Sequence, residues 1–457
     1  MRAWIAGVVV LTVGVLANCG TTNSGFGADG GDDGAENDST TPGQDSGNNP
    51  FGDTGSGEAA PPCVGLKCDV QNCGSGTTSI SGTVYDPAGK NPLYNILVYI
   101  PTFPNDPLPT ISHGMSCDTC AAKIDNAMAT ALTDTKGHFV IKNAPVGANI
   151  PIVVQVGKWR RKFTMPTATV ACVDNAYPNP NTPATRLRLP AKKSEGDMPL
   201  IAYATGCDPM DSLIQKVGID PAEFTGPKLG GMVEVYKGKS TTLTPPAGAG
   251  DAYTGLWDNA TEMERHDIVM NACECSPYPR NNGYQNLDTY LNGGGRFFAS
   301  HYHVNFFADS SATSDLKAAA TWNEWGSCGS GPYAIDTTFP KGKAMADWMQ
   351  GIFPTIPYGS FTATSSCIVQ DIHATVSGIS QQWIYDTSTK YPGYISINTP
   401  TNKQPADRCG RAVVTDLHVG SSSQTLEQQE AALEFMFFDL AACVQDDNSV
   451  PTPPTPN

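Results

Sequence analysis

Positively charged residues are scarce in this sequence. The 457 residues include 28 Lys and Arg against 44 Asp and Glu, which gives a formal net charge of −16. A surface with this balance repels the phosphate backbone, so broad nucleic-acid binding is excluded as a function. Residues 20–62 contain eight of the acidic residues and no Lys or Arg, so about half of the net charge lies in one short segment.

Long apolar runs are also lacking after residue 17, so the sequence predicts no membrane span beyond its N-terminus. Residues 3–17 form an apolar run of signal-peptide length behind Arg2. The next residues, up to Asn18 and Cys19, resemble a bacterial lipobox, in which the cysteine is lipidated, although Asn18 departs from the usual small residue. We therefore expect a lipoprotein signal peptide over residues 1–19 with lipidation at Cys19, and ordinary secretion is the alternative.

Two further segments are predicted to be disordered. Residues 20–62 consist mainly of Gly, Asp, Ser, Asn and Thr, which cannot bury enough surface to offset chain entropy. They are expected to form an acidic linker, and the Pro-rich residues 444–457 a disordered tail. Gly20, directly after Cys19, gives no inner-membrane retention cue. The expected location is thus the outer membrane or cell surface, with the membrane as a partner through the N-terminal lipid.

The 14 cysteines are many for a chain that stays in a reducing cytosol, so they indicate disulfides. Without Cys19 the count is 13, so at least one thiol is free, ligated or paired between chains. Cys63, Cys68 and Cys73 lie at the start of the part that is expected to fold. No His lies near them in the sequence, which favours disulfides over a metal site. The candidates for disulfides, whose connectivity the sequence leaves open, are Cys63, Cys68, Cys73, Cys117, Cys120, Cys328, Cys367, Cys409 and Cys443.

Residues 63–190 have short Val- and Ile-rich runs separated by Gly, Pro and Asn, a pattern typical of an all-β sandwich. The segments SGTVYD (81–86), NILVY (95–99), TDTKGHF (133–139) and PVG (145–147) resemble the carboxypeptidase-regulatory-like (transthyretin-like) family. That resemblance implies a non-catalytic sandwich that binds, spaces or stabilises. Within this region, GMSCDTC (114–120) resembles the loop of heavy-metal-binding domains. Because it interrupts a sandwich, we expect a local Cys117–Cys120 disulfide, with soft-metal binding as the alternative.

Residues 197–443 alternate apolar strand runs with helical patterns, which predicts a mostly parallel sheet with helices on both faces. The segments YLNGGGRFFASH (290–301) and CGRAVVTDLH (409–418) resemble class I glutamine amidotransferase-like and ThuA-like domains, which implies a flavodoxin-like α/β three-layer domain. An amidotransferase needs a nucleophilic Cys on a strand-to-helix elbow. This chain has Ser300 and His301 there, so amidase activity is not expected.

Ligands of open α/β sheets bind beyond the carboxyl ends of the strands. Residues expected at that edge as a ligand cleft are Gly206, Asp208, Asn271 and Ser300. Residues that could form a catalytic site with a divalent metal such as zinc are His301, His303 and His418 as ligands, with Glu274 or Asp416 as general base. A cleft without metal and purely structural roles are the alternatives.

The expected signal peptide and acidic linker, together with the lack of a nucleophilic Cys at the strand-to-helix elbow, favour a cell-surface lipoprotein that acts as a binding or structural module. Its expected ligand is an extracellular protein or a glycan. The alternative is a metal-dependent hydrolase that acts on a carbohydrate or related extracellular substrate through the three histidines.

Overall fold

A computed structural model of the protein describes residues 63–456, apart from 119, 121–122, 242–243, 324–325, 330, 364–367 and 419–425. The expected signal peptide, Cys19, the acidic linker and Cys367 lie outside the described residues. No helix in the described part is long and apolar enough to cross a bilayer.

The Val- and Ile-rich runs at the start of the described chain form two small sheets. In β4, Phe139 and Ile141 are buried while His138 and Val140 are exposed, which is the alternation of a strand with one face on a core. The sheet orders are β4-β1-β7 and β3-β2-β5-β6. The strands are β1 (Ser79–Thr83), β2 (Leu97–Pro101), β3 (Ala127–Leu132), β4 (His138–Lys142), β5 (Pro151–Val156), β6 (Trp159–Thr164) and β7 (Asp174–Ala176).

The remaining chain contributes a large mixed sheet and two short strand pairs, β14–β19 and β15–β18. The strands are β8 (Ile201–Ala204), β9 (Phe224–Thr225), β10 (Val233–Lys237), β11 (Gly250–Asp251), β12 (Ile268–Asn271), β13 (Arg296–Ser300), β14 (Ala320–Trp322), β15 (Cys328–Gly329), β16 (Tyr333–Ile335), β17 (Ser360–Phe361), β18 (Ile368–Val369), β19 (Ile372–Thr375), β20 (Ser380–Asp386), β21 (Pro392–Thr399) and β22 (Gly410–Thr415).

The large sheet has the order β11-β10-β8-β12-β13-β22-β21-β20-β16-β17, with β9 beside β10. The strands from β11 to β22 in this order are parallel, as the sequence predicts. The strands from β21 to β17 are antiparallel, so the sheet is mixed and larger than the expected flavodoxin-like layer. The chain therefore has small N-terminal β-sheets followed by a large mixed α/β sheet.

Helices cover both faces of the large sheet. Along β8, Ile201 and Tyr203 belong to one hydrophobic core, together with residues of α1, α6 and α7. Ala202 and Ala204 point to a second core, formed with α3 and α4. The helices are α1 (Met210–Lys216), α2 (Ala260–Glu264), α3 (Gly283–Asn292), α4 (Asn305–Ala308), α5 (Ser314–Lys317), α6 (Pro340–Ile352) and α7 (Gln428–Ala441).

The small sheets and the α/β region pack together in one unit that begins at Pro62. Trp159 of β6 is fully buried against the rings of Phe437 and Phe438 of α7. The indole of Trp348 in α6 donates a hydrogen bond to the carbonyl of Pro92 at 2.6 Å. Residues 63–190 and 197–443, expected as separate domains, thus share one continuous core.

The expected Cys117–Cys120 disulfide is wrong, because each cysteine is bonded to a distant partner in the α/β region. The fold brings residues 117 and 120 close to backbone segments that are remote in the chain, and the short spacing of the two cysteines does not reveal this. The disulfides are Cys63–Cys68, Cys73–Cys172, Cys117–Cys409, Cys120–Cys443 and Cys207–Cys275. Cys328 is also disulfide-bonded.

The C-terminal segment was expected to be disordered, but its described residues 444–456 make specific contacts. The Asp447 carboxylate is buried and contacts Lys341 at 3.0 Å, while Ser396 Oγ donates to it at 2.7 Å. Nearer the end, Thr130 Oγ1 donates to the carbonyl of Pro454 at 2.8 Å. A buried ion pair therefore anchors a segment whose composition alone suggests disorder.

Candidate metal centre at the carboxyl edge of the sheet

Four side chains with ligand chemistry meet at one edge of the large sheet. The strands β8, β12, β13 and β22 are direct neighbours and parallel, so their carboxyl ends lie side by side. The residues that follow these strands include Asp208, Cys273, His301 and His418, one from each strand. This edge is where open α/β sheets place their ligands.

Three of these residues bring ligand atoms together. The Cys273 sulfur lies 3.2 Å from Nδ1 of His301, and the rings of His301 and His418 are 4.5 Å apart between centroids. The ligand atoms of Cys273, His301 and His418 all lie within 4.8 Å of one another. Cys273 is the free cysteine among the described residues and is fully buried. We call this group the Cys273 cluster.

The Asp208 carboxylate contacts the ring of His418 at Nδ1. Nδ1 of His418 lies 3.1 Å from Oδ1 and 3.3 Å from Oδ2 of Asp208. Hydrogen bonds to Asp208 and then to Cys273 raise the pKa of His418 to about 10 in the absence of a metal ion. The Asp208 contact orients the ring, so its Nε2 is left for the cluster.

His301 occupies the sharp turn between β13 and a 3₁₀ turn that spans His301–Val304. Its backbone φ is +42°, a left-handed conformation that a non-glycine residue adopts only when the surrounding structure enforces it. Burial, and then the neighbouring His418, lower the pKa of His301 to about 3, so its imidazole is neutral. Its Nε2 is buried without a hydrogen-bond partner among the described residues.

His303 and Glu274 belong to a second buried group and not to the Cys273 cluster. The Glu274 carboxylate accepts hydrogen bonds from Arg280 at 2.5 Å and from the Tyr253 hydroxyl at 2.8 Å. His303 lies 3.9 Å from this carboxylate and packs against Trp257. In an extended strand, side chains two residues apart point the same way. The 3₁₀ turn rotates them apart, so His301 and His303 serve different groups.

The other expected site residues have structural contacts. Asp416 is buried and accepts hydrogen bonds from the backbone amides of Asp371 and Ile372 at 3.0 and 3.2 Å. Burial and then Asp371 raise the pKa of the Asp416 carboxyl well above its usual range. Asn271 accepts from the Trp257 indole at 3.0 Å and donates to a carbonyl of β13 at 2.8 Å.

Gly206 and Ser300 support the edge more directly. A Cβ atom on Gly206 would lie 2.1 Å from the carbonyl oxygen of Cys273, so only glycine lets the loop after β8 approach the Cys273 backbone. The Ser300 hydroxyl is 3.5 Å from Oδ2 of Asp208. Both residues thus help to position Asp208 beside the Cys273 cluster.

Sequence reasoning missed Cys273, the residue at the centre of the cluster. One signal for it was available, because an odd number of cysteines beyond Cys19 requires a thiol without an intrachain partner. The spacing of the cysteines does not say which one is unpaired. Only the pairing of Cys207 with Cys275 identifies Cys273 as the remaining thiol.

Comparisons with known proteins give similarities of fold only. No family model matches the sequence, and no curated protein matches it. A ThuA-like protein from Bacteroides uniformis is similar at 10% identity with a TM-score of 0.30, over 52% of this chain and 88% of that one. A ThuA-like protein from Parabacteroides merdae is similar at 13% identity with a TM-score of 0.29, over 56% and 95%. A type II cohesin–X-dockerin complex from Acetivibrio cellulolyticus gives 14% identity and a TM-score of 0.16, over 34% and 88%.

Proposed function

We propose that the chain is an exported, lipid-anchored hydrolase whose Cys273 cluster holds one divalent metal ion, with zinc as the first candidate. The observation that carries the proposal is the convergence of three ligand atoms, from three neighbouring strand ends, within 4.8 Å. The Asp208 carboxylate behind His418 supports it, since a metal-bound His usually gives its other ring nitrogen to such a partner.

The chemistry of the ligand set fits zinc. One thiolate and two imidazoles suit this ion, and three protein ligands are the usual number in catalytic zinc sites. A zinc ion held in this way keeps a position for water and lowers the pKa of that water towards neutrality. The neutral imidazole of His301 and its unpartnered ring nitrogen in a buried site are the features expected of a group that awaits an ion.

Access to the cluster comes from the side of His418. The side chain of His418 is 28% exposed, whereas Cys273 and His301 are buried. A substrate therefore approaches across the His418 ring, and the buried ligands stay shielded from competing solvent. We take carbohydrates and related extracellular substrates as the first class to test.

The rest of the chain supports an extracellular setting. The disulfides of the described residues need an oxidising compartment, and the N-terminal sequence resembles a lipoprotein signal. In this proposal the small sheets act as a carboxypeptidase-regulatory-like binding module for an extracellular protein or glycan. The α/β region carries the chemistry, and the expected location is the outer membrane or cell surface.

A second candidate function uses the same residues without a metal. His418 lies between Asp208 and the Cys273 thiol, which is the order of a nucleophile, base and orienting carboxylate in thiol hydrolases. The second imidazole on the thiol has no role in such a triad, and the sulfur is fully buried. For these two reasons we favour the metal site.

The test is hydrolysis by the purified full chain on chromogenic esters, amides, phosphate esters and glycosides. Activity should appear with zinc, disappear after chelation, return on zinc addition and be lost in His301→Ala. His138→Ala, an exposed residue of β4, is the matched control and should keep full activity. Activity that survives chelation but not iodoacetamide would favour the thiol triad. A folded, zinc-loaded chain without activity on any class would leave the binding or structural role.

A further inference from the structure

The Cys273 sulfur has two further sulfur atoms beside it, and these two are bonded to each other. Cys207 and Cys275 form a disulfide between the loops that follow β8 and β12. The Cys273 sulfur lies within 4.8 Å of both, so a free thiol stands next to a disulfide. This arrangement does not depend on the proposed metal site.

The three cysteines differ in exposure. Cys273 is fully buried, Cys207 is half-buried and Cys275 is exposed. An external thiol therefore reaches Cys275 more readily than the other two residues. A disulfide with one exposed end and a neighbouring buried thiol has the parts of a thiol–disulfide exchange site.

Cys207 is the better partner for Cys273. The Cys207 amide donates to the Cys273 carbonyl at 2.7 Å, so the two backbones already lie against each other at the ends of adjacent strands. The Cys207 sulfur is 3.1 Å from the same carbonyl oxygen. Cys275, in contrast, is two residues from Cys273 in the chain and has a left-handed backbone with φ of +59°.

We propose that Cys207, Cys273 and Cys275 form a thiol–disulfide exchange site whose exposed Cys275 couples to small extracellular thiols and disulfides. The Cys273 sulfur attacks Cys207, a Cys207–Cys273 bond forms, the Cys207–Cys275 bond breaks, and Cys275 leaves as a thiolate that takes up a proton. The proton of Cys273 goes to solvent. One disulfide replaces another, so no external oxidant or reductant is consumed.

The exchange has a direct consequence for the Cys273 cluster. When Cys273 is bonded to Cys207, its sulfur no longer serves as a thiolate ligand or a nucleophile beside His301 and His418. The free thiol then sits at Cys275, where a small disulfide such as oxidised glutathione captures it as a mixed disulfide. The site would thus report the redox state of its surroundings at an exposed position.

The experiment follows which cysteine reacts with N-ethylmaleimide in the native full chain at mildly alkaline pH without reductant. Peptides are mapped without reduction at successive times. We expect the label to accumulate on Cys275 together with a Cys207–Cys273 disulfide, and to fall at least about tenfold in Cys273→Ser, which has no attacking thiol. The Cys73–Cys172 disulfide, which has no third sulfur within 4.8 Å among the described residues, is the internal control and should stay intact.

A second variant keeps the test decisive if Cys273→Ser folds poorly. Cys275→Ser leaves Cys207 and Cys273 as thiols, and mild oxidation should join them. Two free thiols after oxidation, or a wild-type Cys207–Cys275 bond that stays complete over days, would overturn the proposal. Added zinc separates it from the metal proposal. Exchange that zinc does not slow supports the exchange site alone, whereas stoichiometric zinc binding without any exchange supports the metal site alone.

Discussion

At the scale of single residues, the partner of a side chain decides its role more than its position on a strand end. Asp208 and Asp416 both follow parallel strands at the same edge. Asp208 contacts the ring of His418, whereas Asp416 accepts two backbone amides of a neighbouring segment. The first can tune a ligand, and the second stabilises the loop that carries residues 371–372.

This difference gives a prediction for Asp208→Asn. The amide keeps the shape of the side chain but loses the charge that holds His418, so we expect zinc affinity to fall about 10- to 100-fold. Competition with a chromogenic chelator measures the change. Cys273→Ser and His301→Ala remove ligands and should abolish stoichiometric binding, while His138→Ala should bind like the wild type. An unchanged affinity in Asp208→Asn would show that this carboxylate does not support a metal ligand.

A second residue-scale prediction concerns Glu274, which the sequence suggested as a general base. Its carboxylate is fully buried against Arg280, so removing one partner leaves an unpaired buried charge. Arg280→Met should lower the free energy of unfolding by about 3–5 kcal/mol, measured by urea denaturation. Lys343→Ala, which removes an exposed ion pair with Asp347, is the control and should have no measurable effect. Full stability in Arg280→Met would contradict this structural role for Glu274.

At the scale of elements, two buried carboxyl groups join the small sheets to α7. Asp86, in the turn after β1, lies beside Glu434 of α7, which also accepts a hydrogen bond from Asn91 at 2.7 Å. Burial raises the pKa of Asp86 to about 7, and burial and then Asp86 raise the pKa of Glu434 well above its usual range. The folded protein therefore holds a proton here that the unfolded chain releases at lower pH.

The sign of the pH dependence follows from these raised pKa values. The stabilisation from this pair is fully present below the ordinary carboxyl pKa of about 4 and is lost as pH rises through about 7. We expect the free energy of unfolding to drop by about 1–3 kcal/mol between about pH 5 and 8. Asp86→Asn should flatten this slope, as urea titrations at each pH would show. An equal slope in the variant would place the titrating group elsewhere.

The disulfides between the two regions give another element-scale prediction. Cys120 and Cys443 are 323 residues apart. Because Cys117–Cys409 already cross-links the same stretch, the additional loop that they close runs over residues 117–120 and 409–443, which is still much longer than the separation of 5 between Cys63 and Cys68. Because a cross-link restricts the unfolded chain more when the loop is long, the Cys120→Ser/Cys443→Ser double variant should lose about 2–5 kcal/mol. The Cys63→Ser/Cys68→Ser control should lose less. Guanidinium denaturation compares them, and equal losses would contradict the loop-length argument.

Much of the element order follows from the sequence. Each apolar run between 199 and 205, 266 and 273, and 296 and 300 contains a parallel strand, because continuous apolar runs suit strands buried on both faces. The helical pattern of residues 285–291 lies within α3. Antiparallel strands β16, β17 and β20 were missed, because their shorter and more polar runs depend on partners remote in the chain. At the start of α7 the capping box is formed by Glu427 and Glu430, whereas the usual sequence signal for such a box has Ser or Thr at its first position.

The candidate site could be predicted from the sequence only in part. The strand ends and the proximity of His301 to His418 follow from the parallel order of β13 and β22. The separation of His303 from the Cys273 cluster depends on a 3₁₀ turn, and the residue types in this segment do not predict that turn. The role of Cys273 depends on which of its neighbours are paired, and disulfide connectivity is a property of the folded backbone.

At the scale of the whole molecule, the disulfides, the shared core and the buried ion pair at Asp447 make the described part of the chain a rigid support for one edge of the sheet. A site that must hold ligand atoms within fractions of an ångström benefits from such a scaffold. The strained backbone of His301 fits this picture, because the surrounding structure must enforce it.

The most direct test of the central claim is the metal content of the full chain, purified without chelators or a His-tag and measured by mass spectrometry of the elements. We expect about one zinc or similar divalent ion per chain. That ion should be lost in Cys273→Ser, His301→Ala and His418→Ala but not in His138→Ala. A folded chain that binds no ion, even after incubation with zinc, would contradict the metal site and leave the Cys273 cluster as a thiol site.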